Sequence, residues 1–97
     1  MMLKAPVYRS SRWLAAVRSL ECCVLCGRYG VQAAPRNEGK GMARKVDDCF
    51  TAALCPDCHR EIDNGHGLTR EERRQKMDAA IIETIAQLAR RGLIRVE

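Results

Sequence analysis

The chain has 97 residues, 46% hydrophobic and 30% charged, with only four aromatic side chains and a formal net charge of +5. So short a chain buries little of its surface and has few large rings to build a core, so it needs a metal or disulfide staple, for which six cysteines are available. No segment approaches the length needed to cross a bilayer.

The charge is unevenly placed. Residues 1–46 carry nine Lys/Arg and two acids, +7, whereas residues 47–97 carry eight and ten, −2. A basic half suits a polyanionic partner such as nucleic acid, although a solvated surface accounts for the same charge. The N-terminus has arginines spread through it and no uninterrupted apolar run, so no secretory leader and no membrane association are predicted. The expected setting is a reducing cytoplasm, where closely spaced cysteines bind metal more often than they pair.

The pattern reads as one small α+β domain over 1–97. Residues 9–20, "RSSRWLAAVRSL", set Trp13, Leu14, Val17 and Leu20 near helical spacing and predict an N-terminal helix capped by Ser10 or Ser11. "CCVLCGRYG" is too tight and too rich in glycine for a helix and suits a knuckle turn. "VQAA" predicts a short strand that Pro35 ends or confines to an edge. Residues 36–45, "RNEGKGMARK", form a loop with two glycines and four basic side chains, and "CFTAALC" predicts a second strand. A short helix follows from Pro56 to about Asn64, with Gly65 or Gly67 stopping it. The last helix, 69–91, opens on Thr69 and Glu72 in capping-box spacing and carries Met77, Ile81, Ile85 and Leu88 on one stripe. That stripe is read as core, although periodicity does not by itself distinguish a core from a homodimer interface. "LIRVE" is read as a final short strand.

Cys23-Val-Leu-Cys26 and Cys55-Pro-Asp-Cys58 are two C-x-x-C pairs, and two such turns can clamp one Zn2+ ion in tetrahedral coordination. Two disulfides or four unrelated thiols are the competing reading, and Cys22 competes with Cys23 as a ligand. A site with four protein sulfurs leaves no open position for water, so this zinc is structural. Cys49 is left over as a small core residue. His59 follows the second pair directly, and Asp63 lies one turn further along the same helix face. Together they make a partial site for a second, catalytic cation. Alternatively, Asp63 only hydrogen-bonds His59, or His59 supports the zinc cysteines from behind. Arg36, Lys40, Arg44 and Lys45 surround a glycine-bearing loop whose amides can approach phosphates closely, and Arg9, Arg12 and Arg18 extend the patch.

A zinc knuckle, a hairpin and then "LCPDCH" on a helix resemble the HNH, or ββα-metal, class of nucleases. "QAAPRNEGKGMARKVDDCFTAALCPDCHREIDNG" is similar to the small prophage-encoded YbcO-like family, over roughly residues 9–92. The resemblance implies a zinc-stapled ββα core over 22–65, a structural zinc on four cysteines, a Mg2+ or Mn2+ site for phosphodiester hydrolysis, and DNA as substrate, bound with weak sequence specificity. By position, His59 matches the helix metal ligand, and Asp63 a further polar ligand. The family pattern has a general-base histidine before the Gly-Lys-Gly-Met loop, where this chain has Pro35. The other histidine, His66, is a loop residue. Proline cannot take a proton, so impaired catalysis is expected. Three functions are compatible with these features: a metal-dependent endonuclease, a degenerate scaffold that binds DNA without cutting it, and a zinc-stapled protein-interaction module.

Overall fold

The computed structural model describes residues 6–36 and 46–96. Their order is α1 (Ser11–Arg18), β1 (Gln32–Pro35), β2 (Thr51–Leu54), α2 (Pro56–Asn64) and α3 (Arg70–Arg90). The result is a small α+β structure of three helices around a two-stranded antiparallel sheet.

Ser10 caps α1, its Oγ accepting the Trp13 N–H at 3.0 Å. The helix is shorter than the predicted 9–20. After it, Glu21 takes a left-handed backbone, φ 70°, which turns the chain into the knuckle. The segment before α1 is tied down by acids from just before β2. The Tyr8 N–H donates to Asp47 Oδ1 at 3.1 Å, and the Ser10 N–H to Asp48 Oδ2 at 2.7 Å.

The strands pair Gln32 with Leu54, Ala33 with Ala53, Ala34 with Ala52 and Pro35 with Thr51. Antiparallel pairs alternate between residues that bond each other and residues whose N–H and C=O point outward. Ala53 is of the second kind. Its N–H donates to Thr84 Oγ1 on α3 at 3.1 Å, and its carbonyl accepts the Val24 N–H of the knuckle at 3.0 Å. Pro35, two residues beyond Ala33, stands at another outward position, so the ladder loses no bond to its missing N–H.

Every residue of β2 is buried. Ala52 and Leu54 pack with Ala34, Ile62, Met77, Ala80 and Ile81, whereas Ala53 packs with Val17, Leu20 and Leu88. The sheet thus lies between α1 on one face and α2 with the first half of α3 on the other. The stripe of α3 is used in this core. Small alanines in the strand let the helices approach closely.

The Thr69–Glu72 capping box forms, with the Glu72 N–H on Thr69 Oγ1 at 3.0 Å and the Thr69 N–H on Glu72 Oε1 at 2.8 Å. Two expectations are corrected. Leu93–Val96 form no strand: the Leu93 and Ile94 amides return to the Leu88 carbonyl at 2.9 and 3.4 Å, so they close the helix and leave no ladder to build. Cys49 is only half-buried, in the turn before β2, outside the core.

Thr84 is fully buried, and its hydroxyl also donates to Ala80 O at 2.7 Å. Thr84→Val keeps the shape but leaves the Ala53 N–H without a partner, and should cost about 1–3 kcal/mol by denaturant unfolding. Thr84→Ser should lose much less.

Candidate metal centre

The knuckle is held by its own backbone. The Cys23 N–H donates to Arg28 O and the Gly27 N–H to Cys23 O, both at 2.8 Å, and Cys22 bridges to Tyr29. Gly27 sits at φ 80°, a conformation that favours glycine and lets the turn close in so few residues. The second C-x-x-C lies at the start of α2. Cys55 is the N-cap, its sulfur accepting the Cys58 N–H at 3.4 Å, and Pro56 occupies the first turn. The Arg28–Asp57 ion pair joins the two turns at the surface.

The ligand atoms of Cys23, Cys26, Cys55 and Cys58 all lie within 4.8 Å of one another, and the Cys26 and Cys55 sulfurs are 3.6 Å apart. Sulfurs at 2.3 Å from one tetrahedral ion stand about 3.8 Å apart, so the cluster fits a metal such as zinc. Cys22 is exposed on the neighbouring bridge, outside this cluster. None of the six cysteines is in a disulfide.

Crowded sulfurs perturb one another. Burial pushes the Cys23 thiol up, but the backbone amides of Cys55, Cys26 and Leu25 outweigh it and bring it down to about 6. The Arg28 amide pulls Cys26 down, yet its contact with the Cys55 sulfur and desolvation leave it raised. Burial, and then the Cys55, Cys26 and Cys23 sulfurs, push Cys58 up strongly. The shared sulfur environment thus favours a thiolate at Cys23 and thiols at Cys26 and Cys58.

His59 begins one turn into α2, its N–H donating to Cys55 O at 2.9 Å. Its ring lies between two partners: Nδ1 is 2.9 Å from Gln32 Oε1 on β1, and Nε2 is 3.2 Å from Asp63 Oδ2. Both His59 and Asp63 side chains remain partly open, at 26% and 28%. The Asp63 carbonyl accepts from Arg73 at 3.1 Å, which ties the end of α2 to α3. Gly65 ends α2 so tightly that a Cβ there would stand 2.2 Å from the Glu61 carbonyl oxygen.

The residues of the predicted basic patch fall in several places. Arg36 is half-buried and ion-paired with Asp78 on α3 at 3.2 Å, and Arg9 is paired with Asp48 at 3.1 Å. Arg12 and Arg18 are exposed on α1. Lys40, Arg44 and Lys45 lie outside the described residues. His66 is exposed in the turn between α2 and α3. Sequence reasoning missed Gln32 as the partner of His59. Its signal was a lone polar side chain beside two alanines on a strand. Comparison with protein-family models, curated proteins and solved structures finds no match to this chain.

Zinc uptake by the metal-free chain should release at least two protons at neutral pH, so apparent affinity should fall about a hundredfold for each pH unit of acidification, steepening below about pH 6 as Cys23 protonates; a chromophoric chelator competition reads this. Gly65→Ala should destabilise the chain by about 1–3 kcal/mol in denaturant unfolding, because the new methyl meets backbone and not a yielding side chain.

Proposed function

We propose that this chain is a DNA-directed scaffold of the ββα-metal nuclease class, with a structural zinc on Cys23, Cys26, Cys55 and Cys58 and a Mg2+ or Mn2+ site at His59 and Asp63. The single observation that carries the second site is the 3.2 Å between His59 Nε2 and Asp63 Oδ2. Adjacent ligands of an octahedral cation, each at about 2.1 Å, stand about 3.0 Å apart, so one ion can be shared between them. Two protein ligands leave the remaining positions to water and phosphate oxygens. When bound, such an ion supplies positive charge to a phosphodiester at the stage when its oxygens gain negative charge.

The chain's own residues set the limits of the chemistry. His59 and Asp63 are held on one helix face by the Cys55 cap, one turn from the zinc sulfurs. A phosphate backbone would meet Lys40, Arg44 and Lys45, together with Arg36 if it displaces Asp78. Pro35 offers no proton acceptor, so water is not deprotonated by a hairpin imidazole and turnover is slow.

One observation favours a second reading, a scaffold that binds DNA without cutting it. Strand alternation puts position 35 on the face of Ala33, which packs toward α1, whereas Gln32 is on the face of His59. In this register no described residue of the two strands places a base on the face of His59.

A plasmid-nicking assay tests the proposal. Mg2+ or Mn2+ should support slow nicking that EDTA and His59→Ala both reduce to background; equal traces in wild type and mutant would count against it. Raised nicking by Pro35→His would support a base-deficient nuclease; DNA retardation with no metal-dependent nicking by the wild type supports the binding scaffold. In either case four phosphate contacts predict that DNA affinity falls about a hundredfold between 50 and 200 mM salt. Salt-insensitive retardation would instead favour a protein-interaction module.

A further inference from the structure

We infer that Gln32 is a positioning residue: it holds the His59 ring through Nδ1–H and so turns the Nε2 lone pair toward Asp63. The inference rests on reading His59 and Asp63 as a shared cation site, and it names what makes that site competent.

Gln32 is the first residue of β1, and its Oε1 lies 2.9 Å from His59 Nδ1, across 27 positions of sequence. It is exposed, so packing does not force the contact. Ala34 follows on the same strand face and is buried in the cluster that contains Ile62 of α2. On β1, Gln32 is the side chain that hydrogen-bonds to α2. A carbonyl oxygen can only accept, so with Oε1 turned to the ring the contact calls for a proton on Nδ1.

That assignment decides what Nε2 can do. With the proton on Nδ1, Nε2 presents a lone pair to a carboxylate oxygen 3.2 Å away, and two electron-rich atoms at that distance favour a cation between them. With a proton on Nε2, in the other tautomer or in the imidazolium, the same pair is a closed hydrogen bond and the ring cannot ligate from that side. Of the two neutral tautomers, Gln32 therefore favours the one that leaves Nε2 open to a cation. Outer partners of this kind typically change metal affinity about 10- to 100-fold when removed.

The test uses the zinc-loaded full chain with 15N-labelled histidine, whose two residues are distinguished by the His66→Asn variant. In excess Mg2+, long-range proton–nitrogen spectra should show His59 protonated at Nδ1. Gln32→Ala should lose that preference and should need about tenfold more Mn2+ to broaden the His59 ring signals. Gln32→Glu keeps an acceptor and should retain the wild-type tautomer, a rescue that a merely structural role would not give. Wild-type protonation at Nε2, or ring signals and Mn2+ response unchanged in Gln32→Ala, would overturn the inference. Failure of the nuclease reading looks different. If the ring signals respond to Gln32 but the wild type never nicks DNA, the positioning role stands without catalysis. If nicking depends on His59 while Gln32→Ala leaves the ring unchanged, the positioning role falls.

Discussion

Four sulfurs from two turns far apart in sequence meet around one point, and the rest of the structure is arranged from that meeting. Cys55 contributes in two ways, as one of the four and as the N-cap of α2. The helix therefore begins at the cluster, and His59 and Asp63 inherit their position from it. The knuckle is in turn bonded to the sheet through the Val24 amide. Ligand turns, sheet and helix are thus one mechanical unit. A chain with so few large apolar side chains has little else to hold these parts in register.

The second constraint is the edge of β2. An isolated two-stranded sheet is marginal in water. Here the outward groups of Ala53 are met by a helix side chain and by the knuckle backbone, so among the described residues the strand is enclosed without a third strand. α3 crosses from one core cluster to the other, with Met77, Ala80 and Ile81 in the first and Leu88 in the second. One long helix therefore couples the face that carries the candidate site to the face that carries α1.

Much of this was legible in the sequence, for definable reasons. Caps and stops act through adjacent residues, so Thr69 with Glu72, Pro56 and Gly65 gave the limits of α2 and α3. Paired C-x-x-C spacing is likewise local, and it singled out the four cysteines that converge. What the sequence concealed depends on partners distant in the chain. The ion pair of Arg36 was hidden because its acid, Asp78, lies 42 positions away on another helix. The Gln32–His59 contact needed the strand register to become visible. Residues 93–97 resembled a strand in composition, but an alternating segment makes a strand only where a neighbour offers a ladder, and the carbonyl of Leu88 took the Leu93 and Ile94 amides first.

Pro35 has a consequence apart from chemistry. Its ring nitrogen faces outward along β1, on the side away from β2, where no other described strand pairs. A strand arriving from another molecule would find no donor there and would meet a rigid ring. The residue that offers the hairpin no proton acceptor thus also blunts the sheet against edge-to-edge growth, and any residue with an N–H at this position would add a donor to that margin.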